Sequence, residues 1–213
     1  MKMTAIFTVG VGLAALCQLP AIASAAPSTR YVTTSGSDTG NNCLAIVAPC
    51  RTVTYALFQA NPGDTVSIGA GVFIESKTLF ISTPVILRGA SNDATVVQVS
   101  TDSVVYIVEG TNVVIRDLTI SGGRTEWYGG GIYNGGGLLL ESVVVSDNEA
   151  QVGAGIYNAP GASLTMRNST VSSNSAIAWG LPSGAAGGLA DDHGRHGLLR
   201  APREGSAREG SAR

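Results

Sequence analysis

Gly131-Ile132-Tyr133-Asn134 returns 24 residues later as Gly155-Ile156-Tyr157-Asn158, and Val145-Ser146-Asp147-Asn148 returns 26 residues later as Val171-Ser172-Ser173-Asn174. A unit of about 25 residues, made of short Val, Ile, Leu and Thr runs cut by Gly and Asn, is too small to close a core of its own. It must bury its apolar side chains against the units before and after it, which is the condition for a solenoid.

Working outward, three successive units align so that Val113, Leu138 and Leu164 form one inward file and Ile115, Leu140 and Met166 the next. Val114, Leu139 and Thr165 then point outward, followed by Arg116, Glu141 and Arg167, whose alternating signs favour pairing from coil to coil. The coils differ in length only in a turn: residues 135–137 in one, 159–163 in the next. Further strand signals lie at 66–68, 72–74, 79–81, 85–87, 96–99, 104–108 and 113–115, leaving no room for helices between them. Equivalent strands one coil apart run parallel, about 4.8 Å from each other. Before them, Val53, Ala56, Leu57 and Ala60 follow a three–four spacing that Asn61-Pro62-Gly63-Asp64 stops, which predicts one helix over 52–60, placed to cap the open end of the stack. The expected fold is all-β, a right-handed parallel β-helix of four to five coils with a short N-terminal capping helix, its natural C-terminal end cut short.

The opening Thr33-Thr34-Ser35-Gly36-Ser37-Asp38, Cys43, Pro49-Cys50-Arg51-Thr52, Pro62-Gly63-Asp64-Thr65-Val66 and Val85-Ile86-Leu87-Arg88-Gly89-Ala90 resembles secreted right-handed β-helix proteins of the pectin-lyase-like superfamily. The Gly129-Gly130-Gly131-Ile132 and Val145-Ser146-Asp147-Asn148 units are similar to the repeats of polymorphic outer-membrane proteins, with Val145 and Val171 where those often carry Phe. The resemblance spans residues 30–178 and implies a fold; within it both binding proteins and polysaccharide-cleaving enzymes occur.

Residues 1–25 carry Lys2, a long apolar run and Ala23-Ser24-Ala25, the pattern of a secretory signal cleaved after Ala25. Residues 26–64 then form an N-terminal extension with the capping helix, 65–179 the coils, and 180–213 a Gly, Ala and Arg-rich tail without apolar alternation, expected to be disordered and read either as a shifted or truncated end or as a flexible tail. In an exported chain, Cys43 and Cys50 are expected to oxidise into one staple across a short loop. No transmembrane span is expected in the mature chain, which should be secreted or at the cell surface, as a monomer.

The formal net charge of -2 and the lack of a basic patch with interleaved aromatics exclude a nucleic-acid surface. Asp102, Asp117 and Asp147 fall on different coils with Arg116 and Arg124 among them, so neither the acidic calcium cluster with its basic partner needed by a lyase nor the carboxylate pair of a glycosidase is visible. Asp117 aligns with Ser142 and Asn168 in a turn column and is read as a bend residue. No catalytic, metal or cofactor residue is assigned; His193 and His196 are read as solvated tail. Asn134, Asn148, Asn158 and Asn174 are read as repeat turn residues, able to take left-handed backbone angles or to bond to the equivalent Asn one coil away. Tyr133 and Tyr157 recur and are read as packing; Trp127 and Tyr128 are the candidate surface contacts for a glycan. The resulting expectation is a non-catalytic adhesion or carbohydrate-binding module, the alternative being a polysaccharide lyase or glycoside hydrolase acting on pectin-like polymers.

Overall fold

The computed structural model describes residues 26–177 together with 186–187, 189–190 and 196–197. The signal assigned to 1–25, and the tail assigned to 180–213 with its two His side chains, lie outside the described residues apart from those last three strand pieces.

The chain winds. A first rung holds β1 (Thr29–Val32) and α1 (Val53–Gln59). Four complete coils follow: β2 (Thr65–Ile68), β3 (Gly71–Ile74) and β4 (Leu79–Ile81); β5 (Val85–Arg88), β6 (Thr95–Gln98) and β7 (Val105–Ile107); β8 (Asn112–Arg116), β9 (Thr119–Ser121) and β10 (Ile132–Asn134); then β11 (Gly137–Glu141), β12 (Val144–Ser146), β13 (Glu149–Ala150) and β14 (Ile156–Asn158). A fifth begins with β15 (Ser163–Arg167), β16 (Thr170–Ser172) and β17 (Asn174–Ala176); β18 (Ala186–Gly187), β19 (Leu189–Ala190) and β20 (His196–Gly197) lie beyond it. The strands stack into three long sheets, β1-β2-β5-β8-β11-β15, β3-β6-β9-β12-β16 and β4-β7-β10-β14-β19-β20, in which every pair is parallel except β19–β20. Non-consecutive strands pair because the chain returns to the same sheet only after a full turn. This is an all-β parallel solenoid with one short helix.

The strand signals at 66–115 match β2 to β8 within a residue or two, and the aligned columns are the observed register: Val114 faces Leu139, which faces Thr165. Inward files run unbroken through the stack. On the second sheet Phe73, Val97, Ile120, Val145 and Val171 succeed one another, all buried. On the first, Leu87, Ile115 and Leu140 are at most 1% exposed, while Met166, on the last rung of that sheet, is only partly buried against the core.

The column of alternating charge is only partly a ladder. Arg167 Nη1 lies 3.2 Å from Glu141 Oε1, an exposed pair, whereas Arg116 stands in register with Arg88 and its buried Nε has no hydrogen-bond partner. Such surface pairs contribute under about 1 kcal/mol and set register rather than stability.

At the N-terminal end, the helix forms where expected. Thr52 caps it, its Oγ1 accepting the Tyr55 amide at 3.1 Å, and Val53 and Ala56 enter the core. The buried carboxylate of Glu75, from the coil below, accepts the amides of Val53 (2.7 Å) and Thr54 (3.2 Å) and the Thr54 hydroxyl (2.6 Å), fastening the cap to the stack. The loop that brings the chain to this helix is closed by a Cys43–Cys50 disulfide with Cα atoms 5.1 Å apart, both residues fully buried. It displays Leu44, Ile46 and Val47 to solvent.

Two features were hidden. The stretch read as an extension supplies β1, the first strand of the first sheet. Its Arg30 occupies the inward file above Val66, Leu87 and Ile115, and pairs with buried Asp64, Nε to Oδ2 at 2.8 Å.

Candidate functional site

Bends between sheets fix what the lateral face can display. Asp117, Ser142 and Asn168 have φ of 58°, 55° and 50°, and form one column; Gly122, Asp147 and Ser173, with φ of 75°, 57° and 55°, form a second. The left-handed residue of the Val-Ser-x-Asn unit is therefore the one before the asparagine, not the asparagine itself.

Asn148 and Asn174 turn inward instead. Asn148 Oδ1 accepts the Gly123 amide (2.9 Å) and its Nδ2 donates to the carbonyls of Ile120 (3.3 Å) and Ser146 (2.9 Å) and to Asn174 Oδ1 (2.9 Å). One coil on, Asn174 Oδ1 accepts the Asn148 amide (3.1 Å) and its Nδ2 donates to the Val145 carbonyl (2.9 Å). Since Ile120 and Val145 are register partners, each asparagine ties itself to the same two backbone groups of the coil before. On the third sheet, Asn134 Nδ2 likewise donates to Asn158 Oδ1 at 2.6 Å. Buried amides survive because every coil supplies the same partners.

The asparagine column explains the glycine column. A Cβ on Gly131 would lie 2.5 Å from the Gly155 carbonyl oxygen and 2.8 Å from Asn148 Nδ2; one on Gly155, 2.7 Å from Asn174 Nδ2. Gly-Ile-Tyr-Asn and Val-Ser-x-Asn are thus two halves of one packing unit.

Outward on the third sheet stand Phe80, Tyr106, Tyr133 and Tyr157. Their rings stack with centroids 5.5, 4.5 and 5.4 Å apart, and Tyr128 leans on Tyr157 at 4.5 Å. They are a half-exposed ladder rather than core, and Tyr133 has a ring against each face. Burial first, then the neighbouring phenols, push the Tyr133 hydroxyl above its ordinary pKa. Tyr106 and Tyr133, covered on both faces, present only their edges to a sugar.

Trp127 differs. It is 68% exposed, and no aromatic ring stacks on it among the described residues. It stands in a lateral hollow of about 570 Å³, lined also by Ser100, Thr101 and Asp102 from one coil and Arg124 and Glu126 from the next. Coil stacking builds this site, for the Arg124 amide donates to the Asp102 carbonyl (3.0 Å), and across the next spacing the Thr125 amide donates to the Glu149 carbonyl (3.1 Å) while the Glu149 amide donates to the Gly123 carbonyl (2.7 Å). Arg124 Nε is 3.2 Å from Glu149 Oε2. The expectation that no two carboxylates share a face is corrected here: residues 22 to 24 apart along a solenoid come together one rung apart, so Asp102 and Glu126 line one hollow. Asp117 and Asp147 remain apart from it, at their bends. Among the described residues no group of three His, Cys, Asp or Glu side chains is arranged to hold a metal ion.

Among the described residues no helix is long and apolar enough to cross a membrane. No protein-family model matches the chain, and no curated protein matches it in sequence. One solved structure that it is similar to is pectin methylesterase PemA from Erwinia chrysanthemi, at 14% sequence identity and a TM-score of 0.46, the match covering 68% of this chain and 55% of that one.

Proposed function

We propose that the chain is a secreted or cell-surface carbohydrate-binding module whose glycan site is the hollow around Trp127. The observation that carries this is the pairing of an open indole face with hydroxyl, carboxylate and guanidinium groups in one concave site: sugars present apolar C–H faces to aromatic rings and hydroxyls to planar polar groups. The signal-like pattern at 1–25 supports an exported location. Tyr128 serves by seating the loop on Tyr157.

Asp102 and Glu126 in the same hollow favour the glycoside-hydrolase alternative over the lyase, which would need a calcium cluster. Reducing-end release from neutral and pectin-like polymers, and absorbance of unsaturated product from polygalacturonate with calcium, separate these enzymes from a binding module, which yields neither signal.

The direct test is a glycan array followed by calorimetric titration of the unaltered chain and of the Trp127→Ala variant with the sugars that the array retains. Trp127→Ala is expected to weaken binding about tenfold or more, the usual consequence of removing a central aromatic anchor. Binding of full strength by Trp127→Ala would remove the hollow from consideration.

A further inference from the structure

Resting on that reading, we infer that the Trp127 hollow selects sugars bearing a protonated amine, as in a glucosamine polymer, over neutral or uronate sugars. The charges around the site decide it. Asp102 and Glu126 face the hollow, and the Arg124 guanidinium at its wall is engaged by Glu149. The hollow is thus lined by two carboxylates and one guanidinium, and a third carboxylate, that of Glu149 outside the lining, lies 3.2 Å from the Arg124 Nε and offsets its charge. Asp102 Oδ1 accepts the Ser103 amide at 2.7 Å, which fixes the carboxylate while leaving Oδ2 for a ligand. Glu126 has no ion-pair partner among the described residues.

A uronate entering here would bring a further negative charge beside two carboxylates, and like charge at such distance is a standard means of rejecting a ligand. An ammonium gains twice: it donates up to three hydrogen bonds to the carboxylates and can lie against the indole face, where the ring quadrupole attracts it. Ser100 and Thr101 supply hydroxyls for the neighbouring ring positions. The hollow is open to solvent on one side, so this preference is sensitive to salt.

The test compares three oligosaccharides of equal length by calorimetric titration at about pH 5, where amino-sugar amines are protonated and ordinary carboxyls, at about 3.9 to 4.3, remain mostly ionised: glucosamine oligomers, the same oligomers N-acetylated, and oligogalacturonate. The expected result is at least tenfold tighter binding of the glucosamine oligomer than of its N-acetylated form, no measurable binding of oligogalacturonate, and a preference that shrinks as sodium chloride is raised. In the Asp102→Asn/Glu126→Gln variant, with unfolding midpoint measured to verify folding, the ratio between the two glucosamine forms should fall toward one. Equal or tighter binding of the N-acetylated form, tightest binding of oligogalacturonate, or an unchanged ratio in the folded variant overturns the inference while leaving a glycan site in place. Binding of none of the three, with none on the array, removes both this inference and the proposed function.

Discussion

Asp64→Ala is expected to destabilise the protein by about 3–5 kcal/mol, the usual cost of stripping one partner from a buried ion pair. Asp64 is fully buried and its carboxylate accepts the amides of Ser28 (2.7 Å) and Asn61 (2.9 Å) as well as Arg30 Nε (2.8 Å). Truncation leaves two amides without acceptors and a guanidinium, 5% exposed, without a counter-charge at the head of an inward file. Set against a typical domain stability of about 5–15 kcal/mol, that loss is expected to fray β1 and the capping helix together. Urea denaturation measures it; a loss under about 1 kcal/mol would mean that the pair is not formed.

The same group gives a pH dependence of known sign. Burial acts to raise the Asp64 pKa, but the Asn61 and Ser28 amides and Arg30 outweigh it and hold the carboxyl below its ordinary value. A carboxylate with a depressed folded-state pKa contributes stability that is fully present above its unfolded value, about 3.9, and is lost as pH falls through the folded one. The protein should therefore lose stability below about pH 4, and Asp64→Asn should lack that component of the slope.

Asn148→Ala is the second large effect, expected at about 3 kcal/mol. It orphans the buried Gly123 amide, at about 1–3 kcal/mol, and removes the side-chain bonds to the Ile120 carbonyl and to Asn174 Oδ1. Asn148→Asp separates the amide's two halves: it keeps an acceptor for Gly123 but cannot donate, and aims a charge at the Ile120 carbonyl and Asn174 Oδ1. It should be at least as damaging at neutral pH and partly restored in acid, where a protonated carboxyl donates again. Because Gly123 precedes Arg124, both variants should also loosen the hollow and weaken glycan binding. Thermal unfolding and sugar titration on the same samples check the two consequences together.

The files of the first sheet were legible because Val113, Leu138 and Leu164 repeat one chemical type at one spacing, and periodicity of that kind survives differences confined to turns. The Cys43–Cys50 staple and the helix were legible for local reasons, a short thiol spacing and a capped three–four pattern. β1 was not: its Thr29-Arg30-Tyr31-Val32 places a charge where an apolar residue would advertise the inward face, and the Asp64 that neutralises it lies 34 residues away. Glu75 was missed for the same reason, since its partners Val53 and Thr54 lie in another element. The asparagines were recognised as repeat residues, but single-residue propensity assigned the left-handed bend to them, whereas Asp147 and Ser173 carry it. The hollow stayed hidden because no local motif joins Asp102, Arg124 and Trp127. Only the rung spacing does, and these residues sit in loops of unequal length rather than in the strands whose columns repeat.

Disulfide trapping of outward positions tests the stacking on which the core and the hollow both depend. Val114 and Leu139 are register partners, and Thr165 is one rung further. Neighbouring strands lie about 4.8 Å apart, within the Cα reach of a disulfide, whereas two rungs exceed its limit of about 7 Å. Mild oxidation followed by peptide mapping should therefore find a new bridge in the Val114→Cys/Leu139→Cys variant and none in Val114→Cys/Thr165→Cys. A bridge in the second variant and not in the first would contradict parallel coils in this register.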